Sequence, residues 1–301
     1  MSKIIPPIKS QGIKTKLIPW INDIIKHSDI SKGANWLEPF FGTGVVGFNS
    51  LLRGSFIVGD INPHIVNFYS EIQSGHITSY SMRAYLEQES IKLSCAEDNG
   101  YAYYKEVRKR FNESHSPYDF IFLSRAGFNG MMRFSKRGDW NIPFCKKPNR
   151  FSPSYITKIC NQVSSVSKVI AKGNWSFYNC DFEDIISKAK EGDLIYCDPP
   201  YFGRYVDYYS GWTESDEERL FYALSKTKAF FILSTWHHND WRKNEMIDKY
   251  WRRFNLCTQE HFYHSGGKIE NRHPIVEALV FNFEYKNIVL EEENEELVLF
   301  E

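Results

Sequence analysis

The chain has 301 residues, 42% hydrophobic and 16% aromatic, enough to bury a sizeable core and too apolar for a disordered polypeptide. Its 37 basic residues cancel its 37 acidic ones, which excludes a general polyanion binder on net charge alone. No apolar run approaches the roughly 18 residues of a membrane helix, Met1-Ser2-Lys3-Ile4-Ile5-Pro6-Pro7 is no secretory signal, and a cytoplasmic protein without a membrane partner is expected.

Lys9-Ser10-Gln11-Gly12-Ile13-Lys14 is turn-like, and the apolar pattern from Leu17 to Ile25 predicts a helix. Trp36-Leu37-Glu38-Pro39-Phe40 leads into Phe41-Gly42-Thr43-Gly44-Val45-Val46-Gly47, which reads as strand, glycine turn and helix start. Gly42, Gly44 and Gly47 match G-x-G-x-x-G, a spacing that lets backbone approach a ligand closely. Ser55 to Asp60 predicts a second strand, ending in an acid 18 residues after Gly42. A carboxylate there typically takes a ribose hydroxyl pair. Together these point to a nucleoside-type ligand, although close helix–strand packing would also explain the glycines.

From about residue 71 to 171 the texture turns helical, as in Tyr101–Phe111 and Tyr155–Val169. Between these lie Gly127-Phe128-Asn129-Gly130 and a loop, 133–144, that fits a hairpin turning at Arg137-Gly138. Residues 131–150 carry six bases (Arg133, Lys136, Arg137, Lys146, Lys147, Arg150) against Asp139 alone. A solvated loop is the plain reading and a phosphate-facing one the sharper. Phe128, Phe134, Trp140 and Phe144 are interleaved with these bases, so a wedge or stacking group is expected among them rather than core alone.

Sheet texture returns at Trp175–Phe182, Asp193–Cys197 and Ala229–Ser234, then at Glu260–His264 and Ile275–Phe283. The last eleven residues hold six glutamates and no base, so 291–301 is expected to be an acidic tail. The six cysteines include no Cys-x-x-Cys pair, and neither His237-His238-x-Asp240 nor His261-x-x-His264 has an established ligand pattern. No metal is assigned.

The stretch Asp198-Pro199-Pro200-Tyr201 organises the rest. Two prolines cannot continue a ladder, so the strand before them stops at Asp198. Its carboxylate then sits at a strand's carboxyl end, where open α/β sheets bind ligands. Acceptors beside a flat aromatic suit an exocyclic amine on a planar ring, although Pro-Pro is also an ordinary strand stop. A nicotinamide enzyme would explain the glycine loop and give Asp198 no role. A methyl donor carrying adenosine explains both.

In motif order, residues 9–283 resemble the Dam-like (class alpha) DNA adenine-N6 methyltransferases. Lys9-x-x-Gly12-x-Lys14 is similar to their amino-terminal motif, with Ile13 and Ser10 as departures. Glu38-Pro39-Phe40-Phe41-Gly42-Thr43-Gly44 resembles the cofactor loop, Asp60-Ile61-Asn62 the ribose-side acid motif, and Asp181-Phe182 the contact to the cofactor's adenine. Tyr103-Tyr104 to Phe111-Asn112, Phe128-Asn129-Gly130-x-x-Arg133 and Gly138 to Phe144 are similar to the target-recognition domain, and Gly266-Gly267 with Glu277 loosely to a late DNA-facing motif.

The resemblance implies an α/β fold, a doubly wound methyltransferase-type mixed sheet with an inserted, mostly helical recognition domain. The methyltransferase part would span 1–70 and 172–290, and the insertion 71–171. It implies S-adenosyl-L-methionine as cofactor and double-stranded DNA as partner, and leaves a cognate restriction endonuclease open as a further one. Asp198, Pro199 and Tyr201 would be catalytic. Lys14, Glu38, Pro39, Phe40, Gly42, Gly44, Asp60, Ile61, Asp181, Phe182 and Asp198 would hold the cofactor. Lys9, Phe128, Asn129, Arg133 and Pro143 would read the target, GATC as first expectation, and Lys136, Arg137, Lys146, Lys147 and Arg150 would meet phosphates. RNA adenine, a glutamine side chain, and a catalytically weak nucleic-acid-binding module of the same fold are the alternatives.

Overall fold

The computed structural model describes residues 3–10, 12–135, 137–203, 211–261 and 275–285. Lys136, the Gly266-Gly267 pair, the end of the expected Glu260–His264 strand, His264 and the 291–301 tail lie outside the described residues.

Seven strands make one sheet: β1 (Trp36–Glu38), β2 (Ser55–Asp60), β3 (Asn174–Asn179), β4 (Leu194–Cys197), β5 (Phe230–His238), β6 (Asn255–His261) and β7 (Ile275–Phe281). Their order is β3-β2-β1-β4-β5-β7-β6. The first five run parallel, and β7 inserts antiparallel between β5 and β6. This is an α/β methyltransferase-type sheet. The central strands explain themselves: β4 is buried along its whole length, as a strand covered on both faces must be.

Helices α1 (Ile18–Lys26), α2 (Pro63–Gln73), α7 (Phe182–Ile186) and α8 (Glu214–Lys226) accompany the strands, while α3 (Ser79–Cys95), α4 (Tyr101–Ser114), α5 (Pro117–Ala126) and α6 (Pro153–Lys172) fall between β2 and β3. α1 buries Ile18, Ile21, Ile24 and Ile25, a helical spacing, behind a proline in its first turn. α6 begins where the Ser152 side chain accepts from Tyr155 N, and it buries Ile156, Ile159, Cys160, Val163, Val166 and Ile170. One continuous apolar cluster runs from these helices into the face of the sheet through Phe41, Phe68 and Tyr69.

Two elements differ from the sequence reading. The glycine loop opens no α-helix; only a 3-10 turn, Gly47–Asn49, follows it. A side chain on Gly47 would meet Glu38 Oε2 at 2.4 Å, and Asn49 is tied by its amide to Val45 O and Ile4 O. The chain therefore turns straight towards β2. β6 starts at Asn255, five residues before the expected start. Among the described residues it is an edge strand paired only with β7, so Asn255, Thr258 and Gln259 suit it although they hide it from a search for apolar runs.

Candidate active site and cofactor cleft

Strand order reverses between β1 and β4, and crevices for ligands form at such switch points. A cavity of about 200 Å³ opens there. Of the residues singled out for a cofactor, Lys14, Glu38, Pro39, Phe40, Gly42, Asp60, Ile61, Asp181, Phe182 and Asp198 line it, and Gly44 does not. Gly44 is needed for another reason. Its φ is +71° and a Cβ would lie 2.4 Å from the Phe41 ring, so the turn itself demands glycine. At Gly42, by contrast, nothing lies within 4 Å of a built Cβ, which leaves the loop open to a ligand.

Asp60 at the end of β2 fixes that loop. Its Oδ2 accepts from Gly42 N at 2.7 Å and its Oδ1 from Asn62 N at 2.8 Å. Burial pushes its carboxyl up to about 6 against the pull of those two bonds. The Asn62 side chain in turn accepts from His64 N and starts α2. Glu38, 2% exposed, accepts from Trp36 Nε1 at 2.9 Å. Burial holds its carboxyl well above the usual range, and the nearby Asp198 adds to this.

The far wall is aromatic. Phe40 stacks on Phe182 at 5.3 Å between centroids, and Trp212 meets Phe40 at 5.5 Å and Phe182 at 5.7 Å. Asp181 caps α7 by accepting from Glu183 N, and Arg219 Nη2 donates to Asp181 Oδ1 at 2.9 Å. Trp212, Asp216 and Arg219 line the cavity and were missed in the sequence. Their signal was the capping box of Thr213 and Asp216 that starts α8, which brings this helix's first turn to the crevice. Met132 also lines the cavity, with its Sδ 3.4 Å from Asn62 Nδ2.

Around Asp198 the groups are tightly bound to one another. Lys14 Nζ lies 3.1 Å from Asp198 Oδ1 and 4.5 Å from the centroid of the Tyr201 ring. The Tyr201 hydroxyl donates to Glu277 Oε2, and Glu277 on β7 is fully buried. Burial pushes the Asp198 carboxyl up to about 6; Lys14 pulls it down and Glu277 pushes it further up.

Other expected DNA-facing residues gather elsewhere. Phe128 N donates to Pro143 O at 2.9 Å, and a Cβ on Gly130 would touch the Lys9 side chain at 2.8 Å. Lys9, Phe128, Asn129 and Pro143 are thus neighbours in one turn, where Asn129 takes a φ of +51°. Arg133 Nε donates to Asn141 Oδ1 at 2.7 Å. Phe134 pairs with Trp140 across the expected hairpin. Arg137, Lys146 and Lys147 are exposed.

One expectation is narrowed and another corrected. Phe134, Trp140 and Phe144 are core, at 7%, 1% and 3% exposure, and only Phe128, at 47%, remains open for stacking. Phe134 stacks on His64 of α2, Trp140 meets Phe111 of α4 and Phe120 of α5 edge-on, and Phe144 stacks on Tyr104 of α4. Arg150 is turned inward, donating to Arg125 O and the Tyr155 hydroxyl, so it is not one of the outward bases. Among the described residues no three His, Cys, Asp or Glu side chains cluster so as to hold a metal ion.

The cavity's acids, Glu38, Asp60, Asp181, Asp198 and Asp216, outnumber its cations, Lys14 and Arg219. With no α-helix starting at the glycine loop, a dinucleotide's pyrophosphate would find no helix N-terminus at that loop and no excess of positive charge around it. A nucleoside carrying a positive sulfur and an ammonium group fits these acids and this wall.

Comparison with known proteins agrees. The chain is 28% identical over 221 residues to the Retron Ec67 DNA adenine methylase of Escherichia coli, covering 71% of this chain and 70% of that one. It is 29% identical over 209 residues to the DNA adenine methylase of Haemophilus influenzae, covering 64% of this chain and 68% of that one. Residues 10–265 match the family described as D12 class N6 adenine-specific DNA methyltransferase. The match extends from the amino-terminal turn to beyond β6, through glycine loop, helical insertion and Asp198 strand alike, and the chain belongs to that family.

Proposed function

We propose that the enzyme methylates the exocyclic N6 of an adenine turned out of double-stranded DNA, with Asp198, Pro199 and Tyr201 as its catalytic residues. S-adenosylmethionine is the methyl donor and, when bound, supplies a methyl group on a positively charged sulfur. The observation that carries the reading is the Asp198 carboxylate at the carboxyl end of β4, on the wall of the cofactor cavity and beside the Tyr201 ring.

Asp198 and the Pro199 carbonyl accept hydrogen bonds from the amine, which localises the nitrogen lone pair and aims it at the methyl. Tyr201 covers the base, and Glu277 fixes the ring from behind. Before the base enters, with Lys14 beside it and its carboxyl near 6, Asp198 is mostly ionised at neutral pH and so meets the amine as an acceptor. Lys14 makes the two contacts the base requires, a donor on Asp198 and a group over the Tyr201 face. Admitting the adenine is therefore an exchange of an ammonium for an amine. Turning the base out costs a few kcal/mol, and the exposed Phe128 ring with Asn129 would offset part of it at the vacated place.

The same proposal assigns Glu38, Asp60, Asp181 and the Phe40–Phe182 wall to the cofactor, and residues 71–171 to target recognition. GATC is the proposed target, read through Lys9, Arg133 and Pro143, with Arg137 and Lys147 on phosphates. A cytoplasmic setting and a companion restriction endonuclease belong to this proposal too, since duplex DNA is the substrate and methylation shields a site from such a nuclease.

Transfer of labelled methyl to DNA, RNA and protein tests the substrate. Asp198→Ala should keep its fold and its cofactor affinity and lose at least about a hundredfold in rate, the scale of a lost preorganised contact. Turnover near the wild-type rate would refute the mechanism, and labelling of RNA or protein in place of DNA would refute the substrate.

A further inference from the structure

The adenine end of the cavity contains an assembly that neither the motifs nor the family likeness explains. Arg219 on α8 donates through Nη2 to Asp181 Oδ1 at 2.9 Å and to Glu183 Oε2 at 2.7 Å, while Nη1 lies 3.4 Å from Asp216 Oδ1. Its guanidinium carbon stands 4.7 Å from the Phe182 ring centroid. Asp181 Oδ1 also accepts from Glu183 N at 3.0 Å. One oxygen of Asp181 is therefore held by two donors, and the carboxylate can turn little about its own axis.

A second contact chain fixes the ring wall. Trp212 Nε1 donates to Glu217 Oε2 and Trp251 Nε1 to Glu217 Oε1, each at 2.7 Å. Glu217 is 4% exposed, so a buried carboxylate bridges two indoles. Burial pushes its carboxyl up and the two N–H bonds pull it down. A buried acid costs stability unless such bonds satisfy it, and here they also dictate where Trp212 can stand against Phe40 and Phe182.

We propose that Arg219 is a positioning residue that sets the enzyme's preference for an amino group on the cofactor's base. By holding Oδ1, it leaves Asp181 Oδ2 to accept from a base in the cavity that Asp181 and Phe182 both line. This rests on the reading of Asp181 and Phe182 as the contact to the cofactor's adenine. A pre-set acceptor rewards a donor and leaves an oxo-bearing ring facing a carboxylate, and sites built in this way reject the mismatched analogue strongly.

The test compares S-adenosylhomocysteine with S-inosylhomocysteine, which carries an oxo group in place of the amine, by calorimetry on the full chain. The wild type should prefer the adenosyl form by about tenfold or more. Arg219→Met should lower that preference at least about fivefold and alter binding of the inosyl form by less than about threefold, with Arg219→Lys in between. A wild type without preference would overturn the reading of Asp181 itself. A wild type with preference, and an Arg219→Met that keeps it, would overturn the role of Arg219 and leave that reading standing. Equal loss of both ligands in Arg219→Met would also overturn it, because the arginine would then serve only the shape of the wall.

Discussion

Replacing Lys14 by methionine separates its two effects on Asp198. The pair is close, 3.1 Å between Nζ and Oδ1, with side chains 7% and 22% exposed, so solvent screens it little. Lys14 is the leading influence that lowers the Asp198 carboxyl, which burial has already pushed up to about 6. Opposite charges this close shift a carboxylate by about 1–3 units, so its midpoint should rise by that much in Lys14→Met. The sign is fixed: an acid that must be ionised gives activity above its midpoint, lost as pH falls through it. For a two-unit rise, the ionised fraction at pH 7 drops about tenfold. The quantity to measure is kcat/KM for DNA against pH at saturating cofactor, because it reports groups of the enzyme–cofactor complex before DNA binds. Its acidic limb should lie near 6 in the wild type and move up by about 1–3 units in the variant. Thermal unfolding and cofactor calorimetry are the controls for intact structure. An acidic limb that stays in place in Lys14→Met would refute the coupling. A rate lowered equally at every pH would assign Lys14 to the cofactor alone.

Gly44→Ala should destabilise the protein by about 1–3 kcal/mol in urea and abolish cofactor binding, since the added carbon meets Phe41 at a positive φ; an unchanged midpoint would mean the loop has another conformation. On a plasmid library read for methylated adenines, Arg133→Ala should relax preference at one base pair, worth about 1–3 kcal/mol, and Lys147→Ala should weaken binding to all sequences alike and flatten the salt dependence. Methylated adenines outside GATC in the wild type would refute the target and leave the chemistry intact.

The cofactor half of the enzyme was legible because its signals are local. Pro199 and Pro200 stop a strand whatever surrounds them, and Asp60 closes a predicted strand whose observed limits are the same. The missing α-helix after Gly47 was not legible, because Asn49, which ends the short turn there, is held by Ile4, 45 residues away in sequence. Trp212 and Arg219 were hidden for a similar reason. Arg219 is 38 residues from Asp181 and reaches it only when α8 folds back on α7, and an arginine in an amphipathic helix is ordinarily a solvated one.

The stretch 128–150 proposed for target recognition was legible in its charge, while its aromatics did not say which ring stands open. Exposed and buried rings look alike in a loop that lacks period, so Trp140 and Phe128 read the same, although one is at 1% exposure and the other at 47%. What separates them is the partner set. Trp140 Nε1 donates to the Tyr104 hydroxyl and its backbone N to Asn112 Oδ1, both on α4, whereas Phe128 stands on a turn whose backbone closes on Pro143. The helices thus use three rings of the loop to hold it and leave the fourth outside. The loop that carries Arg133 is in this way anchored from within, and Asn141 orients the guanidinium before any DNA arrives. Such preorganisation lowers the ordering cost of a bidentate contact, which supports the proposal, drawn from the family resemblance, that Arg133 rather than an equally basic neighbour such as Lys147 meets a base.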